Sequence, residues 1–148
     1  MCVSFEGITT LGLIAVFTIV GVALGTEMKY PKTLEQYEMV RSGLAADELA
    51  SAKNGATNLV VAVEEEFAGS KPMIDASQKL AASESLDDAR AAFLIISKEL
   101  VKLVQGQPGY FVMHCPMMKD AVWVQTTPKA GNPYKGKAMP ECGEIVKK

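Results

Sequence analysis

Histidine is almost missing from this chain: His114 is the only one. A hydrolytic site needs a nucleophile, a base and a group to orient the base, and one histidine beside a proline-linked cysteine offers no convincing set. No catalysis is expected. Basic charge is also short, with 15 Lys and Arg against 17 Asp and Glu and a formal net charge of −2. Phosphate neutralisation requires a basic footprint, so nucleic acid is excluded as an expected partner. The three cysteines include no C-x-x-C pair, and no βαβ pattern accompanies them, which argues against a thioredoxin-like protein. Internal repeats and low-complexity tracts are absent, and the length fits one compact domain.

Charge is missing altogether from residues 8–25, which end in Ala23-Leu24-Gly25, a small-x-small site of the kind a signal peptidase accepts. Residues 1–25 therefore read as a signal peptide or an uncleaved membrane anchor; eighteen residues is the lower limit for a spanning helix, so length does not separate the two. A buried helix of the fold is the third reading. Glu6 precedes the run, while Lys29, Lys32 and Arg41 follow it. For an uncleaved anchor that asymmetry places the following domain on the cytoplasmic side. An export signal instead implies a periplasmic or other extracytoplasmic domain over residues 26–148. Loss of the leader would also remove Cys2, leaving Cys115 and Cys142 as an even pair.

What is present from Thr33 onward is helical periodicity. Leu34, Tyr37, Val40 and Leu44 form one stripe of a helix capped by Thr33 and ending near Ala45. Asp47 is expected to cap a second helix whose Leu49, Ala52, Ala56, Leu59, Val60 and Val63 repeat the pattern. Gly55 weakens that helix by about 1 kcal/mol relative to Ala, and the alanines suggest close packing. A thin stripe of Ala76, Leu80 and Ala81 predicts a third helix over residues 75–82. Ser85-Leu86-Asp87-Asp88 has capping-box spacing ahead of a seam of Leu86, Ala89, Phe93, Ile96, Leu100 and Leu103, which Gly106 and Pro108 stop. The expected fold class is all-α: an antiparallel four-helix bundle followed by a short extended C-terminal segment.

That segment concentrates the rare residues. Residues 113–144 hold His114, Trp123, Cys115, Cys142 and four of the eight methionines. Residues 110–113 and 121–125 are aromatic and β-branched enough for short strands, residues 126–136 read as a loop, and Lys147-Lys148 as a solvated end. Cys115-Pro116-Met117 places a thiol and a thioether two residues apart, and Pro116 biases Cys115 toward an extended backbone, in which both sulfurs share a face. Met139-Pro140-Glu141-Cys142 offers a second such pair. Soft sulfur donors select soft ions, so the candidate ligands Cys115, Met117, Met139 and Cys142 point to Cu(I) or Ag(I), with zinc as the competitor through Cys, Cys and His. His114 is either a ligand or an outer residue, because its neighbour Cys115 faces the opposite side of a strand. Met113 and Met118 read as core fillers and Trp123 as a structural anchor. The plainer alternatives are a thiol–disulfide protein and a structural module stapled by a Cys115–Cys142 disulfide, which would contribute ~3.5 kcal/mol by the chain-entropy estimate.

His114-Cys115-Pro116-Met117, then Trp123 with Gln125, Asn132-Pro133-Tyr134 with Gly136, and Met139 with Cys142-Gly143-Glu144 resemble the signature of a four-helix domain of unknown function. That domain occurs alone in exported bacterial proteins and appended to periplasmic adaptors of copper and silver efflux pumps of the CusB type. Asp47 after Leu44 and Ala89-Arg90-Ala91-Ala92-Phe93 with Ser97 extend the likeness over most of residues 33–146. The resemblance implies a periplasmic heavy-metal binding role with His114, Cys115, Met117, Met139 and Cys142 as ligands, and an efflux-pump adaptor or another copper-handling protein as partner. No adaptor hairpin or lipoyl-like domain accompanies it, which implies a stand-alone version.

Overall fold

The computed structural model describes residues 29–67 and 70–147. The apolar run at 8–25 and Cys2 lie outside them, and among the described residues no helix is long and apolar enough to cross a membrane. Four helices, α1 (Pro31–Ala45), α2 (Leu49–Glu66), α3 (Lys71–Ala82) and α4 (Leu86–Val104), pack successively on one another. Three short strands follow: β1 (Phe111–His114), β2 (Val122–Gln125) and β3 (Glu144–Lys147). They form an antiparallel sheet in the order β2-β1-β3. The fold is thus mainly α with a C-terminal β segment, and the all-α expectation is corrected. The strand that the solvated-end reading missed, β3, carries Ile145 and Val146 and pairs with the edge of β1 that β2 leaves open, satisfying backbone groups there.

The apolar stripes bury as their spacing requires. Leu34, Tyr37, Val40 and Leu44 of α1, Ala52, Ala56, Leu59 and Val63 of α2, and Ala89, Phe93, Ile96 and Leu100 of α4 lie in one core. The caps differ more. Ser85 Oγ accepts from Asp88 N at 3.1 Å, as the capping-box spacing predicts. Thr33, by contrast, is buried inside α1, which starts with Pro31 in its first turn, where a missing N–H costs nothing. The free N–H groups of Lys32 and Thr33 donate instead to the carboxylate of Glu66, at 3.0 and 2.9 Å, so the end of α2 caps the start of α1. Burial pushes the Glu66 carboxyl up, but the bonds from Thr33 and Lys32 outweigh it and hold the group below its usual range. Pro72 likewise sits in the first turn of α3, so that helix begins at Lys71 rather than 75 and adds Met73 to the core.

α1 and α2 form an antiparallel hairpin held close by two glycines. A Cβ on Gly43 would lie 2.7 Å from Ala52 N, and one on Gly55 would lie 2.9 Å from Val40 N. The tendency of Gly55 to weaken α2 is therefore offset by the close approach that only glycine permits. Above this hairpin, Tyr37 joins helices to sheet: its hydroxyl shares a 2.8 Å hydrogen bond with Ser97 Oγ of α4 and accepts from Val124 N of β2 at 3.0 Å. Burial holds the phenol protonated well above the usual tyrosine range.

Gly43→Ala tests the hairpin. Helix propensity alone would stabilise the variant by about 1 kcal/mol, whereas forcing backbone apart in a packed interface costs about 1–3 kcal/mol. The expected outcome in urea denaturation is a net loss of stability. A gain would mean that the two helices do not approach this closely.

Candidate metal centre

The site is built where β1 runs out. Cys115 follows the strand directly, and its N–H donates to Ala121 O at 2.8 Å, so the chain turns between them and returns as β2. Cys115 is fully buried and Met117 lies in that turn at 62% exposure. The extended stem expected for Cys115-Pro116-Met117 is therefore a turn, because Met118 N donates to Cys115 O at 3.2 Å and bends the segment. The two sulfurs do not share one strand face.

The second sulfur group arrives on the loop from Gly131 to Gly143. Asn132, fully buried, organises it with a single carboxamide. Its Oδ1 accepts from Tyr134 N at 2.9 Å and Lys135 N at 3.1 Å, closing an Asx-type turn. Its Nδ2 donates to Cys142 O at 2.5 Å and to Cys115 Sγ at 3.3 Å. Asn132 N donates to Pro140 O at 2.8 Å, and Cys142 N to Met139 O at 3.3 Å. One side chain thus ties the buried thiol of Cys115 to the backbone of Cys142. Both cysteines are free. Burial pushes the Cys142 thiol up, and the charge and hydrogen bond of Cys115 push it further in the same direction.

Two helices, α1 and α4, and the turn between α1 and α2 hold the loop. Arg41 Nη1 donates to Gly131 O at 2.8 Å, and Arg90 Nε to Pro133 O at 2.9 Å. Asp47, expected to cap α2, instead adopts a left-handed backbone (φ 57°), leaves the N-cap position to Glu48, and receives Arg90 Nη2 at 2.5 Å and Lys137 N at 3.1 Å. Gly136 has no room for a side chain, since a Cβ there would meet Asp47 Oδ1 at 1.9 Å. Below the loop, Trp123 Nε1 donates to Gln125 Oε1 at 2.7 Å, which also accepts from Gly131 N at 3.1 Å. The indole packs closely against Gly143, where a Cβ would lie 2.6 Å from Trp123 Cη2. Trp123 is an anchor, as its sequence context suggests.

Of the five candidate ligands, Cys115 and Cys142 are brought together. Met139 is 40% exposed on the turn that leads into Cys142, and Met117 is exposed on the turn that leaves Cys115. His114 is half-buried on β1, opposite Val122 and Glu144, on the strand face alternate to Cys115. Among the described residues no three of His, Cys, Asp and Glu converge as a metal group, so a set of four such donors, as structural zinc requires, is not formed there. Two thiols flanked by turns bearing thioethers are a donor set that fits a soft ion of low coordination number. Asn132 and Gln125 were read from the sequence only as motif and loop residues. Asn-Pro in a loop signals a turn, and nothing in it signals a donor to sulfur.

Asp47 gives the loop a pH dependence. The Arg90 hydrogen bond, then the Lys137 N–H, hold its carboxyl below the usual aspartate range. A lowered folded-state value contributes stability above the unfolded value, about 3.9, and that contribution disappears as pH falls through the folded value. The stability lost between about pH 6 and about pH 3 should accordingly be smaller in Asp47→Asn than in the parent, read by Trp123 fluorescence in denaturant. Equal losses would show that the clamp does not titrate with the fold. Compared with known proteins, the chain matches no family model, no curated protein and no solved structure.

Proposed function

We propose that the protein binds Cu(I), or Ag(I), as cargo through the Cys115 and Cys142 thiolates, and buffers the ion outside the cytoplasm or delivers it to an efflux system. The observation that carries this reading is the meeting of two free cysteines, distant in sequence, under one carboxamide that bonds the sulfur of Cys115 and the carbonyl of Cys142. Thiolates favour soft monovalent ions, and an N–H directed at sulfur supports the negative charge that ligation needs. Met139 and Met117, exposed on the adjoining turns, would enter the shell from the surface as the ion arrives or leaves. A thioether has no proton to lose, so it remains a donor in acid that begins to protonate cysteine. His114 takes no direct part in this arrangement, since it ends β1 on the face alternate to Cys115. The likeness of the His114-to-Met117 and Met139-to-Glu144 motifs to the efflux-associated four-helix domain supports the same assignment, including an efflux adaptor as partner and an export signal or anchor in residues 1–25.

An anaerobic Cu(I) titration against a chromophoric competitor tests the reading, with Cys2→Ser as the common background so that only the site cysteines report. The expected result is uptake of a single Cu(I) per chain, abolished in Cys115→Ser/Cys142→Ser while the helical circular dichroism is retained. Met139→Leu and Met117→Leu should each weaken binding on the order of tenfold, or about 1.4 kcal/mol. A double variant that competes for copper as well as its parent would remove the proposal.

A further inference from the structure

The two thiols differ in access, and that difference has a chemical use that does not depend on the metal reading. Cys115 is fully buried beneath Asn132, whereas Cys142 is half-exposed at the end of the Met139 turn. One amide nitrogen, Asn132 Nδ2, nonetheless donates to both the Cys115 sulfur and the Cys142 carbonyl, which brings the two residues side by side. Nothing from solvent reaches Cys115 in the folded chain, and an incoming reagent meets Cys142 first. We propose that the pair is a directional thiol–disulfide exchange site for a low-molecular-weight disulfide, with Cys142 as the entry thiol and Cys115 as the resolving thiol.

The chemistry closes on itself. Cys142 gives up its proton to solvent, and its sulfur attacks one sulfur of the external disulfide. The external S–S bond breaks, one thiol leaves with a proton, and a mixed disulfide remains on Cys142. Cys115, held beside it, passes its proton to the departing sulfur as its own sulfur attacks that of Cys142, so the Cys115–Cys142 bond forms, the mixed disulfide breaks and the second thiol leaves. The protein loses two electrons and two protons, and the external disulfide gains them as two thiols. Asn132 favours the second step, because its N–H groups hold the Cys115 sulfur and the Cys142 backbone to one centre. On the metal reading, the same bond withdraws both thiolates from the ion, so oxidation would release the cargo.

The experiment uses the full chain in a Cys2→Ser background, reduced and freed of metal by a chelator, and exposed to oxidised glutathione. Samples are quenched in acid over time and mapped by peptide mass. The parent should end with an intramolecular Cys115–Cys142 disulfide and only transient glutathione on Cys142. Cys115→Ser should accumulate a stable glutathione adduct on Cys142, and Cys142→Ser should be modified at Cys115 at least ~10-fold more slowly, matching its burial. Circular dichroism shows whether each variant keeps its helices; the parent result alone tests the exchange if one variant does not. A parent that stops at the mixed disulfide, or that forms none, overturns the proposal, and equal adduct rates on the two single variants overturn its direction. Because no metal is present, these outcomes stand apart from the copper titration.

Discussion

The carboxamide of Asn132 is the constraint on which the closing segment depends. It is fully buried, and its two ends do different work: Oδ1 receives two backbone N–H groups of the loop that follows, and Nδ2 reaches one cysteine's sulfur and the other's carbonyl. Leaving such a group unpaired in the interior would cost about 1–3 kcal/mol for each lost partner. The loop conformation and the meeting of the two cysteines are therefore a single event. Replacing Asn132 by a residue without both a donor and an acceptor would lose both together.

The helices supply the fixed points against which that carboxamide acts. Tyr37 ties α1 and α4 to β2, and the rings of Tyr37, Phe93, Tyr134 and Trp123 follow one another at centroid distances of 5.1, 5.8 and 6.1 Å from the bundle to the loop. The Tyr134 hydroxyl donates to Val122 O at 2.6 Å, which ties the third of these rings to the sheet. Arg41, Arg90 and Asp47 then clamp the loop from outside. The bundle holds the site without contributing a sulfur to it.

How much of this was legible in the sequence follows from the range of each interaction. The helical stripes and the Ser85 cap are local, set within a few residues, and they read correctly. Thr33 and Asp47 were misread as caps because their structural roles are decided at a distance: Glu66 serves the start of α1, and Arg90 takes the Asp47 carboxylate. The start of α3 was expected at 75 rather than 71 because Pro72 in a first helical turn and a proline in a loop look alike without the following turn. β1 and β2 showed in their aromatic and β-branched residues; β3 is four residues long and gained its identity only from the free edge of β1. The cysteine pair stood out by rarity, but the turn that parts Met117 from Cys115, and the role of Asn132, arise from long-range bonds that no spacing encodes.

The central claim is that two sulfurs from separate turns close on one soft ion, with His114 taking no direct part. X-ray absorption at the copper edge of the Cu(I)-loaded chain tests it most directly. A first shell of sulfur alone is expected, without the outer-shell scattering of an imidazole ring. A shell containing nitrogen with that imidazole signature would place His114 on the ion and contradict the arrangement described above.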